Sequence, residues 1–121
     1  MSAVIIAGSR SFNDYEVFED SMDELSYFLH PTMILSGLAH GADTMALQWA
    51  AEEDLPVKKF PADWDKYGKA AGPIRNQYMA DEANALVAFW DGESRGTKSM
   101  IDLALKAGLI VIVIPVEATE V

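Results

Sequence analysis

Residues 85–97 read Ala85-Leu86-Val87-Ala88-Phe89-Trp90-Asp91-Gly92-Glu93-Ser94-Arg95-Gly96-Thr97. The first five positions are all apolar. A strand with one wet face alternates, whereas a strand covered on both faces does not, so Ala85–Phe89 predicts a central strand of a parallel sheet sandwiched between helices. The small and polar residues that follow predict a tight turn opening a helix, which Gly108 ends. Leu109–Ile114 is then the last strand.

The same alternation runs outward toward the N-terminus. Ala3–Ala7 reads as a short buried strand. Asn13 is placed to start a helix, with Glu16 completing a capping box and Phe12 and Val17 forming a hydrophobic staple. Phe18, Met22, Leu25 and Leu29 recur at helical spacing. Thr32–Leu35 is a second strand, the turn Ser36–Asp43 leads into a helix over 44–53, and Val57–Phe60 is a third strand. Pro61–Gly72 reads as irregular, and Pro73 suits the first position of a helix running to Asn84. The order predicts an α/β, three-layer Rossmann-like fold, with a mostly parallel five-stranded sheet and helices on both faces.

Composition sets outer limits. The chain has 121 residues, half of them hydrophobic, with no cysteine and a net charge of −10. That predicts one domain over 1–116, with 117–121 as a loose C-terminal tail. Thiol chemistry, disulfides and thiolate metal sites are excluded, and no histidine partners His40 in a metal site, so neither metal nor cofactor is expected. There is no basic leader and no apolar run near the roughly 20 residues of a membrane span, which predicts a cytoplasmic protein with no membrane partner. The acidic balance disfavours general nucleic-acid binding, because like charge repels a phosphate backbone.

In open parallel sheets ligands bind beyond the carboxyl ends of the strands. The turns at those ends are Gly8-Ser9-Arg10, Ser36-Gly37 through Gly41-Ala42-Asp43, the Trp64 and Tyr67 loop leading to Gly72-Pro73-Ile74-Arg75-Asn76, and Asp91–Thr97. Gly92, Ser94, Gly96 and Thr97 make the best phosphate cradle, since they leave helix N–H groups open to an anion. They would equally serve as an ordinary helix cap. Arg75 and Arg10 stand out in so acidic a chain. Arg75 is expected in the first turn of its helix, where the dipole disfavours a cation. Either arginine would bind phosphate or pair with Asp14, Asp43, Asp63 or Asp91. Asn76 would hold a ribose hydroxyl or its own turn. Asp43 reads as a cap or a ligand contact, and His40 as a ligand contact or an incidental loop residue. Trp64 and Tyr67 would stack on a base or anchor their loop. Trp49 and Trp90 read as packing residues, and Glu52-Glu53-Asp54 as a solvated helix end.

These four turns together resemble the SLOG superfamily, which includes the LOG phosphoribohydrolases and the Smf/DprA DNA-processing proteins. The match is nearest to the small stand-alone YspA-like branch of bacteria and their phages. It rests on Gly8-Ser9-Arg10 with Phe12, Ser36–Asp43, Asp63-Trp64 with Gly68 and Ala71–Asn76, and Asp91–Thr97 with Ile101-Asp102. The resemblance implies a nucleotide pocket and, as in many relatives, a homo-oligomer. It implies three functions: cleavage or transfer at a nucleotide's N-glycosidic bond, non-catalytic sensing of an ADP-ribose- or NAD-like signal, and DprA-like binding of single-stranded DNA, which the charge disfavours. Arg75 matches the conserved arginine of LOG enzymes. Their Pro-Gly-Gly turn is replaced by Gly92-Glu93-Ser94, and their glutamate by Met100. Glu93 and Asp91 are then the candidate catalytic carboxylates, together with Arg75.

Overall fold

The computed structural model describes residues 2–117, so the tail expected from Glu117 onward lies, beyond Glu117 itself, outside the described residues. Strands β1 (Ala3–Gly8), β2 (Met33–Ser36), β3 (Val57–Lys59), β4 (Ala85–Trp90) and β5 (Ile110–Pro115) form one sheet in the order β3-β2-β1-β4-β5. Every neighbouring pair is parallel. The long helices are α1 (Tyr15–Leu29), α2 (Ala42–Glu52), α4 (Ala71–Glu82) and α5 (Arg95–Lys106), with a one-turn α3 (Trp64–Tyr67) between them.

Alternation along the central strands separates two cores. Val4, Ile6, Val87 and Phe89 face one side and pack with Phe18 and Met22 of α1 and Trp49 of α2. Ile5, Leu86 and Ala88 face the other and pack with Met79 of α4 and Met100 and Ala104 of α5. The apolar run of β4 is therefore buried on both faces, as its composition requires. Trp49 is a core residue whose indole N–H donates to Asp23. Trp90 is half-buried and donates to the Ser94 carbonyl.

Three local expectations change. The α1 cap is Asp14, whose carboxylate accepts the Val17 N–H, and not Asn13. The chain enters the helix one residue later because the Phe12 N–H is held by the Ser9 carbonyl. Phe12 is thereby turned inward to stack on Phe89, centroids 5.2 Å apart, and Val17 stays exposed, so no staple forms. The stretch from Pro61 is not irregular throughout: Asp63 caps α3, and a 3₁₀ turn over Gly68–Ala70 leads into α4. Pro73 is consequently the third residue of its helix, where its missing N–H still costs no intrahelical bond. Arg75 accordingly opens the second turn, so the end-of-helix dipole no longer singles it out. The Glu52–Asp54 end is exposed, although Glu52 also accepts the Tyr15 hydroxyl.

Candidate functional site

The strand order reverses between β1 and β4, since β2 lies on one side of β1 and β4 on the other. A cleft of about 410 Å³ opens there, over the carboxyl ends of those strands. That volume suits a small-molecule ligand. Of the expected site residues, Gly8, Arg10, Asp43, Trp64, Gly72, Arg75, Asn76, Ser94, Gly96 and Thr97 line it. Gly37 and His40 line an adjoining pocket of about 250 Å³ that shares Arg10, Trp64 and Arg75 with the cleft.

Arg75 lines both spaces. Its Nε donates to Asn76 Oδ1 at 2.9 Å, and its Nη1 donates to the carbonyls of Gly37 and, at 3.4 Å, Phe60. It pairs with none of the carboxylates expected for it; Asp43 acts on it only through its charge. Gly37 permits this approach, because a Cβ there would lie 2.8 Å from the Arg75 guanidinium carbon. Asn76 carries the link onward, its amide donating to the Gly96 carbonyl at 3.4 Å. Burial lowers the guanidinium below its ordinary value, and the Asp43 charge opposes the change.

Asp43 is the unusual acid of the cleft. Its side chain sits in the first turn of α2, is only 5% exposed, and accepts the Ala39 N–H at 3.3 Å. It does not cap the helix; Gly41 holds that position without a side-chain bond. Burial pushes its carboxyl up to about 6, although the Ala39 N–H and the Arg75 charge pull the other way. A carboxyl held near neutrality can exchange a proton at physiological pH.

The turn before α5 is both a cap and a donor surface. Ser94 caps the helix through the Thr97 N–H, and its hydroxyl meets the Thr97 hydroxyl at 3.1 Å. Asp91 accepts the N–H groups of Glu93 and Ser94, both at 2.8 Å, which holds its carboxyl below the ordinary value. None of these bonds uses the N–H of Arg95 or Gly96 in the first helical turn. Arg10 is exposed, lines both spaces and belongs to neither ion pair among the described residues, which are Lys58–Glu82 and Lys98–Asp102.

The remaining expected residues frame the cleft without lining it. Ser9 is buried, and its hydroxyl accepts the Asp91 N–H at 3.0 Å, tying the ends of β1 and β4 together. Ser36 is buried and bridges the Asp43 carbonyl and the Leu38 N–H. Gly41 takes φ 84°, and a Cβ there would lie 3.0 Å from the Phe12 carbonyl oxygen and 3.2 Å from that of Arg10 in the β1–α1 loop. Gly92 supplies φ 82° in its turn. Asp91 and Glu93 do not line the cleft; Glu93 is exposed. Trp64 is 58% exposed at the rim, as a stacking surface would be and a core anchor would not.

Sequence reasoning missed the apolar floor made by Met79 and Met100. A signal was available. Met79 lies four residues after Arg75, and Met100 four after Gly96, so each stacks below a cleft residue on the same helical face.

Comparison with known proteins agrees with this architecture. The fold is similar to that of DNA processing protein A (DprA) from Streptococcus pneumoniae, with a TM-score of 0.76 at 21% identity, covering 99% of this chain and 52% of that one. The chain thus spans about half the length of that structure, and the likeness is one of fold. Gene 61 protein of Mycobacterium phage D29 is 37% identical over 119 residues, 93% of this chain and 95% of the phage protein. Residues 2–67, which carry the β1 and β2 turns and Asp63-Trp64, match the family described as YAcAr. With that match spanning more than half the chain and a phage relative aligned along nearly its full length, the chain belongs to the YspA, cpYpsA-related SLOG family.

Proposed function

We propose that this protein binds a nucleotide or nucleotide-derived small molecule in the cleft. The anionic group lies between Arg10 and the first turn of α5, and the ring packs between Trp64 and the Met79–Met100 floor. The observation that carries the reading is Arg10, a guanidinium in neither ion pair among the described residues, which lines the same cleft as the first turn of α5 at the strand-order switch. Membership of a SLOG family supports a nucleotide-related role. The phage relative fits a bacterial host cell, whose cytoplasm holds such ligands.

Two fates of the ligand follow from two cleft residues. Met100 brings a thioether that can neither donate nor accept a catalytic proton, which favours sensing of an intact ligand. Asp43 brings a carboxyl that exchanges protons near neutrality, which favours cleavage at an N-glycosidic bond. Asp91 and Glu93 are weaker candidates for that step, because one is occupied by its own turn and the other is exposed.

The test combines thermal shift with product analysis on nucleoside monophosphates, NAD, ADP-ribose and a short single-stranded DNA. Stabilisation with release of a base that Asp43→Asn abolishes establishes cleavage. Stabilisation by an unchanged ligand establishes sensing. A response to DNA alone, or to nothing, overturns the proposal.

A further inference from the structure

The two edges of the sheet are built differently. The β3 edge is three residues long and carries Lys58 and Lys59, both exposed. Short length and charge are the usual protection of an edge strand against pairing with another chain. The β5 edge runs six residues, Ile110-Val111-Ile112-Val113-Ile114-Pro115, with no charge. Its composition is that of a doubly covered strand, yet Ile110 is 50% exposed and Val113 42%. Leu105, in the last turn of α5 just before it, is 60% exposed.

The backbone shows which groups are open. The N–H groups of Ile110 and Val116 donate to the carbonyls of Asn84 and Trp90 on the β4 side. Alternation along a strand then turns Ile112 and Ile114 the same way, and Val111, Val113 and Pro115 toward the outer edge. Pro115 has no N–H, so the outward-facing donors of β5 are those of Val111 and Val113.

We infer that β5 is a dimerisation edge that pairs antiparallel with β5 of a second copy of this chain about a twofold axis at Ile112. A twofold contact must be self-complementary, and this register is. Val111 of each copy exchanges both backbone bonds with Val113 of the other. Pro115 falls opposite Leu109, where the ladder ends: Pro115 has no N–H to give and the Leu109 N–H is already held by the Ala104 carbonyl, so the backbone pairing rests on the two Val111–Val113 exchanges. The half-exposed side chains find partners too: Ile110 lies opposite Ile114 of the second copy, and Val113 opposite Val111. Beyond the ladder, the exposed Glu117 of one copy runs toward the turn that follows Lys106 at the end of α5 of the other, so opposite charges approach at both ends. The pairing joins two sheets into one of ten strands and leaves both clefts open. It does not depend on what the clefts bind.

The test is solution mass by light scattering together with amide exchange by NMR. The expected mass is twice the 13.3 kDa of one chain. The amides of Val111 and Val113 should exchange slowly in the dimer and quickly on dilution to monomer, while the Ile112 amide, facing β4, stays protected in both. Val113→Lys places a charge on the edge without altering a bond to β4 and should give a folded monomer. Lys106→Glu and Glu117→Lys should each weaken the dimer, and the double exchange should restore it; this pair decides the matter if the edge variant fails to fold. A monomeric wild-type protein overturns the inference. So does a dimer that survives Val113→Lys, or slow exchange at Val111 and Val113 in a monomer.

Discussion

Replacing Asp43 by asparagine should make the protein more stable at neutral pH, contrary to what removing a structural cap would do. The carboxyl is raised from 3.8 to about 6, chiefly by burial. Between those values the unfolded chain gives up the proton before the folded one does, so ionisation of this group favours unfolding. Its effect is absent below the unfolded value, grows as pH rises, and is complete once pH passes the folded value. The rise corresponds to about 3 kcal/mol, at 1.36 kcal/mol for each pH unit. The asparagine carbonyl can still accept the Ala39 N–H and titrates nowhere, so the variant escapes this cost. For a chain of this size that is roughly 10 °C in Tm. Urea unfolding of both proteins at a series of pH values, from about 4 to about 8, isolates the effect, because every other titrating group is common to the two. The difference should be small at the acid end and widen through about pH 6 in favour of Asp43→Asn. A variant that is less stable than the wild type at every pH would refute the reasoning and make Asp43 a structural anchor for its loop. A carboxylate kept against its own stability is what a functional site requires, and the same variant should lose whatever proton-dependent chemistry the cleft performs.

Other substitutions separate binding from architecture. Gly37→Ala forces the Arg75 guanidinium aside, and the three atoms nearest the added methyl all belong to that flexible side chain. Stability should change little, while ligand affinity falls roughly ten- to hundredfold, the worth of a bond from a charged group; unchanged affinity would remove Arg75 from the binding machinery. Gly41→Ala combines φ 84° with a methyl 3.0 Å from the Phe12 carbonyl and closer still to that of Ser9. It should cost about 3 kcal/mol or more in urea unfolding, and a loss under about 1 kcal/mol would show that the loop can yield. Arg10→Ala should leave the unfolding midpoint unchanged, within about 0.5 kcal/mol, and still weaken titrations with any phosphate-bearing ligand. Asp91→Ala frees two N–H groups and should cost about 1 kcal/mol near neutral pH. Because the carboxyl is lowered in the fold, that cost should shrink as pH falls through its folded value. Any turnover should survive the change.

The layered parallel fold was legible in the sequence, because the features that specify it are local. An unbroken apolar run such as Ala85–Phe89 is soluble only when covered on both sides, and turn residues between such runs leave little choice of connection. Knowing the fold was enough to place the four turns on one edge. What a turn residue does with its polar atoms was decided by tertiary structure. Ser9 reads as a ligand contact, yet it spends its hydroxyl on Asp91, a residue distant in the chain and brought near by β1–β4 pairing. Asp43 looks like a cap, and its elevated carboxyl arises from burial under residues of other elements. Arg75 looks like half of an ion pair, but the carbonyls of Gly37 and Phe60 hold it across the cleft. The edge role of β5 was hidden for the same reason. Ile110–Ile114 is as apolar as a central strand, and only the sheet order shows that, among the described residues, no strand lies on one side of it. Composition reports how much surface must be buried, whereas the partner of a polar atom or of a strand edge depends on which distant residues the fold brings beside it.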